Sequence, residues 1–256
     1  MVAVSSHSGL FSPDAGGKPS PKPPAMVFGF VGGFISPDNM VHGGVQLAAR
    51  LRKDYPAGVY VKVFSNHRGE DAHVEILRLL DTNHDGKLSA EEKQNARIII
   101  YGHSWGGSET VALAKLLQND GIPVLLTIQV DSVAKLGEDD SLIPSNVAQA
   151  ANFYQLSGII HGRARIRAAD PSQTKILGNF RFDYNSHPVR CTGYPWYARA
   201  FEYSHLEIEC DPNVLNRVES LIRSRLGEEI KSGPDSPMIS RTGGRRSPYF
   251  RRLTFV

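Results

Sequence analysis

Between about residues 26 and 226 the apolar positions of this chain fall into two alternating patterns. The first is a set of short, almost wholly apolar runs: Val27-Phe28-Gly29-Phe30-Val31, Val59-Tyr60-Val61-Lys62-Val63-Phe64, Ile98-Ile99-Ile100-Tyr101 and Val124-Leu125-Leu126-Thr127-Ile128-Gln129-Val130. Runs of that length and β-branched content predict strands buried on both faces. The second pattern has helical spacing: Val45, Leu47, Ala48 and Leu51; then Val74, Ile76, Leu77 and Leu80; then Glu109 to Leu117. Strands alternating with helices predict an α/β fold, a mostly parallel sheet with helices on both faces. After Ser145 the rhythm changes. Phe153 to Leu156 reads as another strand, and 163–184, broken by Gly178-Asn179, as antiparallel or irregular structure. From Asn213 to Leu226 the residues Val214, Leu215, Val218, Leu221 and Ile222 recur at helical spacing, with Asp211-Pro212 as a start signal.

Composition bounds this picture. The 256 residues, 41% hydrophobic and 21% charged, fit one folded domain at 26–227. It is flanked by a Pro/Gly/Ser-rich N-terminus at 1–25, expected to be disordered, and a flexible basic tail at 228–256. A net charge of +3 is too small to imply a nucleic-acid partner, and no run approaches membrane-spanning length. The first 25 residues lack the basic-then-apolar plan of a secretory signal. A cytoplasmic location is the default expectation, with secretion open if the N-terminus is incomplete. Cys191 and Cys210 form the only possible disulfide, and reduced thiols are an equal expectation. Nothing in the sequence specifies an oligomeric state.

The first stretch that carries chemistry is Gly102-His103-Ser104-Trp105-Gly106-Gly107, between the Ile98–Tyr101 strand and the next helix. A serine flanked by glycines at a strand-to-helix turn has the G-x-S-x-G form of a nucleophile elbow. Such a sharp turn strains the serine backbone and leaves no room for side chains two residues away. It lifts the hydroxyl clear of the sheet and aims a helix N-terminus at developing negative charge. Ser104 is therefore the candidate nucleophile, and the Trp105 amide a candidate oxyanion donor.

Four features occur in the order of one known family: Gly32-Gly33-Phe34 after the first strand, the Ser104 elbow, Asp131 directly after the next strand, and a late histidine, His205, just before the last helix. On these the chain resembles a compact α/β-hydrolase of the lipase/esterase type over about Met26 to Leu226. The resemblance implies a serine hydrolase that cleaves a carboxylic ester through a Ser104–His205–Asp131 triad and an acyl-enzyme. It also implies a second oxyanion donor in the Phe34 amide. The chain departs from the family's His-Gly-X at that turn, because Val31 or Gly32 stands where the histidine would be. His187 and His161 are the other candidates for the base; His103 points away from the serine, and the resemblance implies a structural role for it. Asp170 and Asp183 are other candidates for the acid.

The implied partner is a small-molecule or lipid ester, with thioester, amide and lactone open. An acyltransferase and a non-catalytic calcium-binding or interaction domain on the same fold are the alternatives. Phe34, Phe64, Trp105, Tyr154, Tyr194, Trp196 and Tyr197 are candidates for an apolar acyl pocket, although aromatic residues at such places are more often core. Residues 183–199 are the candidate cover of the site.

A second motif is Asp81-Thr82-Asn83-His84-Asp85-Gly86-Lys87-Leu88-Ser89-Ala90-Glu91-Glu92, which fits D-x-[DN]-x-[DN]-G-x₅-E at every specified position. Asp81, Asn83 and Asp85 offer oxygens, Lys87 its carbonyl, Ser89 its hydroxyl, and Glu92 a bidentate carboxylate. One structural Ca²⁺ is expected there, in a single EF-hand-type loop just ahead of the strand that delivers Ser104.

Overall fold

A computed structural model describes residues 22–196 and 203–227. The tail at 228–256, most of the N-terminal segment and Tyr197 lie outside the described residues. Six strands build the central sheet: β1 (Ala25–Val31), β2 (Val59–Ser65), β3 (Ile98–His103), β4 (Leu126–Val130), β6 (Gln149–Gln155) and β8 (Lys175–Phe182). Their order is β2-β1-β3-β4-β6-β8, and every pairing in it is parallel. The short strands β5 (Leu142–Ile143) and β7 (Arg167–Ala168) pair separately.

The buried strands alternate their side chains between two apolar layers, as a two-period element must. Val27, Val31, Ile99 and Tyr101 pack on one face with α1 (Gly43–Asp54) and α6 (Pro212–Leu226). Met26, Phe28, Phe30, Ile98 and Ile100 pack on the other with α2 (Gly69–Leu80) and α4 (Trp105–Asn119). The short α3 (Ala90–Gln94) leads into β3. This is the expected class in outline, an α/β fold whose parallel sheet carries helices on both faces.

One expectation about the sheet is corrected. The 163–184 stretch is not antiparallel: β8 runs parallel to β6 at the sheet edge. Gly178-Asn179 does not break that strand, because a register shift opposite Ala150/Ala151 absorbs the irregularity. Asn179 is used inside the strand, its side-chain oxygen accepting from the Ile166 amide at 2.7 Å and from Asn152 Nδ2 at 3.1 Å.

The late histidine also sits differently. Tyr203–Cys210 forms a separate helix, α5, ahead of α6. Cys191 and Cys210 are bonded, which settles the question the sequence left open and ties the end of α5 to the segment before it. A loop closed over a separation of 19 residues stabilises by about 3 kcal/mol in the chain-entropy account. Cys191, Tyr194 and Leu206 form a small apolar cluster over that bond. No helix among the described residues is long and apolar enough to cross a membrane.

Candidate active site

The parallel sheet brings the C-terminal ends of β3, β4 and β6 to one edge, and the candidate residues gather there. Ser104 caps α4 with φ 57° and ψ −128°, a conformation rare for any residue but glycine. Its neighbours leave no alternative to glycine. A Cβ on Gly102 would lie 2.1 Å from the Gly106 oxygen, and one on Gly106 would lie 2.3 Å from the Phe30 oxygen. Strain held at one serine by close packing on both sides is what the elbow motif requires.

The acid follows β4 directly. Asp131 also has a positive φ, 44°, and is fully buried. Four donors surround its carboxylate. Oδ1 accepts from the Gly162 amide at 2.7 Å and the Gln155 amide at 3.2 Å. Oδ2 accepts from Gln155 Nε2 at 2.7 Å and from His205 Nδ1 at 2.7 Å. Donation from Nδ1 leaves His205 Nε2 as the atom that can take a proton, the tautomer a general base needs. The segment after Asp131 is braced too. Ser132 Oγ donates to buried Asp140 at 2.5 Å, Arg163 pairs with Asp140, and the Arg163 amide donates to the Ser132 carbonyl at 2.9 Å.

The structure thus brings Asp131 and His205 into contact and sets Ser104 at the neighbouring strand end. Among the described residues no hydrogen bond joins Ser104 Oγ to an imidazole; such bonds are often long before substrate binds. The alternatives lie elsewhere. Asp170 and Asp183 accept from their own turns, from Ser172 and from Asn185 and Ser186 respectively, and His161 and His187 are exposed. His103 is buried and donates Nε2–H to the His205 carbonyl at 3.0 Å.

The Trp105 amide opens α4, where helix geometry leaves N–H groups unpaired. The Gly32–Phe34 turn adjoins the serine: a Cβ on Gly32 would lie 2.7 Å from Ser104 Cβ and 3.4 Å from Ser104 Oγ. Ile35 N donates back to the Gly32 carbonyl at 3.2 Å, closing the turn, and buried Asn66 donates from its side chain to the Gly33 carbonyl.

The aromatic candidates divide. Phe64 is core, stacked with Phe28, and Tyr194 is buried against Glu209, so neither lines an acyl pocket. Phe34 is fully exposed and meets the half-exposed Trp105 edge to face, ring centres 6.0 Å apart. Trp196 is exposed and Tyr154 half-buried. Clefts of about 470 and 410 Å³ lie along 132–165 and between α2 and α4, and Ser104 lines neither.

Several supporting residues had no signal in the sequence. Gln155 shows only as a polar residue ending an apolar strand, Asn66 likewise after β2. His42 and Glu209 lie 167 positions apart.

The acidic loop is held by its own backbone. Asp81 accepts from the Asp85 and Gly86 amides, Asn83 from Asp85, and Asp85 from Lys87. Glu92 does not turn towards them. Its Oε1 accepts from Thr82 N and Oγ1, and its Oε2 from Ser89 N and Oγ, at 2.9–3.0 Å. Those bonds from Ser89 and Thr82 bring the carboxyl down to about 2. Four donors fill its lone pairs, so coordinating a cation would require Glu92 to exchange them. Among the described residues no three His, Cys, Asp or Glu side chains are grouped to hold a metal.

No protein-family model and no curated protein matches the chain. Solved structures similar in outline include human thioesterase 2, at 11% identity and TM-score 0.42 over 83% of this chain and 100% of that one. A cutinase-like protein from Cryptococcus sp. aligns at 12% identity and TM-score 0.41, over 80% and 95%. An arylesterase aligns at 13% and 0.42, over 80% and 77%. Scores of that size carry no inference about activity.

Proposed function

We propose that this chain is a serine hydrolase that cleaves a carboxylic ester, with Ser104 as nucleophile, His205 as base and Asp131 as the acid that orients it. The observation that carries the reading is the strained serine turn at the end of β3 beside a buried histidine–aspartate pair at the end of β4. In this reading Ser104 Oγ attacks the substrate carbonyl as its proton passes to His205 Nε2. The Trp105 and Phe34 amides receive the oxyanion. The imidazolium returns the proton to the leaving alcohol, and water then releases the acid through the same base. Phe34 and Trp105, exposed beside the serine, favour an apolar acyl group.

Treatment of the purified chain with a fluorophosphonate, read by intact mass beside Ser104→Ala, tests this. A single adduct on the wild type that is absent from the variant is expected. Among the described residues Ser104 Oγ makes no hydrogen bond to an imidazole, which favours a second reading, a non-catalytic domain on the same fold; folded protein that takes no adduct would establish it.

We also propose one structural Ca²⁺ in the 81–92 loop, held by Asp81, Asn83, Asp85, the Lys87 carbonyl, Ser89 and Glu92. The fit of the sequence pattern supports it, and binding would require Glu92 to exchange its four present donors. Excess Ca²⁺ is expected to raise the melting temperature relative to EGTA, and identical melting in both would refute the site.

A further inference from the structure

Behind His205 lies a group of buried polar side chains that the triad does not use. Glu209, on α5 four residues after His205, accepts from His42 Nδ1 at 3.0 Å on each oxygen and from the Tyr194 hydroxyl at 3.0 Å. Its Oε2 also lies 3.7 Å from His103 Nδ1. His103 is the link to the base. Besides its bond to the His205 carbonyl, its ring lies 4.5 Å from the His205 ring, centre to centre, with the planes at 34°. His42, His103, Tyr194, His205 and Glu209 are all buried.

The protonation of this group follows from its surroundings. Burial takes His103 down to about 4, against the opposing pull of Glu209, so its ring is neutral through the neutral range. Donation from Nε2 leaves Nδ1 as the lone-pair atom, and it has no hydrogen-bond partner among the described residues. Burial also opposes charge on Glu209. Hydrogen bonds from His42 and the Tyr194 hydroxyl favour the carboxylate and hold that carboxyl below its usual range. A buried carboxylate thus stands behind a neutral imidazole whose ring packs at a tilt against the base.

We propose, resting on the reading of Ser104 as the nucleophile, that Glu209 and His103 are positioning residues for His205: His103 fixes the ring through the carbonyl bond and the tilted ring contact, and Glu209 stabilises the imidazolium formed when His205 takes the serine proton. The proton passes from Ser104 Oγ to His205 and on to the leaving group; His103 and Glu209 neither gain nor lose one. In a water-poor interior a second negative charge near a forming cation acts more strongly than it would at the surface. The charged groups facing the two rings are Asp131 after β4 and Glu209 itself, and Glu209 is faced in turn by His42 before α1 and Tyr194 from the segment ahead of α5.

The rate of fluorophosphonate labelling of the full chain, followed against pH, tests the pairing without knowledge of the natural ester. Glu209→Gln is expected to slow labelling about 10-fold at neutral pH. It should also move the acid-side midpoint down by about half a unit, since loss of the negative charge makes His205 a weaker base. Glu209→Asp, which keeps the charge, should restore the midpoint. A slower rate with an unmoved midpoint, tracking lost thermal stability, overturns the proposal and leaves Glu209 a structural residue. His103→Asn carries the test if Glu209→Gln does not fold. It removes both the carbonyl bond and the ring that packs against His205, and a wild-type labelling rate in it overturns the proposal equally. Absence of any adduct on the wild type overturns the reading of Ser104 as well; an adduct with an unshifted Glu209→Gln profile overturns the pairing alone.

Discussion

Asp131 and Glu92 are both carboxylates whose oxygens each accept two hydrogen bonds, and the origins of those donors separate the two regions. The donors to Asp131 come from 24, 31 and 74 residues away, whereas those to Glu92 come from three and ten. The first shell exists only when the sheet, the β6 end and α5 are all in place. The second is written into one short stretch, where Ser89 and Glu92 cap α3 reciprocally. A site assembled from distant elements should therefore fail through the whole fold, and a self-contained loop should fail alone.

The sharpest test of that contrast is Asp131→Asn, which leaves the shape and reverses part of the hydrogen bonding. It should lower the labelling rate of Ser104 by about 10⁴-fold, since the imidazole loses the partner that sets its tautomer. Gln155→Leu removes two roles at once, a donor to Asp131 and the Oε1 acceptor that takes the Ser157 and Gly158 amides. About 1–3 kcal/mol of stability should be lost in denaturant titration, and labelling should slow with it.

A third test uses pH. His103 is buried at about 4 against an ordinary value of 6.5, so the unfolded chain binds its proton first. Its contribution to stability is complete above 6.5 and is lost as pH falls towards 4. Melting temperature should decline across that window, and His103→Asn should flatten the decline. The smallest effect is expected at the other pole: Ser89→Ala should cost about 1 kcal/mol in loop and helix capping and leave the labelling rate unchanged. Equal damage from Ser89→Ala and Gln155→Leu would erase the distinction between the two regions.

The same distinction explains what could be read from the sequence. The apolar runs and helical spacings gave β1 to β4 and the helices between them, because each is patterned within its own length. Ser104 was legible because the steric demands of its turn fall on neighbours two residues away. Asp131 and His205 were legible as candidates through order along the chain, and the fold brings the two side chains to 2.7 Å. Their support was not, since Gln155, Gly162, His42 and Glu209 act across separations that no local pattern encodes. β8 was misread because Gly178-Asn179 looks like a break, and only the β6 register shows how a bulge accommodates it. The aromatic residues were ambiguous for a related reason: burial, which separates Phe64 from Phe34, is a property of the packed molecule.

The path of the chain through the sheet also sets when the site can exist during synthesis. β1 to β4 are contiguous in the first 130 residues and can pair as they emerge, with Ser104 already at its turn. Asp131 must then wait, first for Gln155 and Gly162 and finally for His205, 74 residues further along the chain. A nascent chain halted before α5 would carry a shaped serine and an aspartate short of one donor, with no base between them. The contact between Asp131 and His205 thus comes into being only after all the described strands of the sheet have been made.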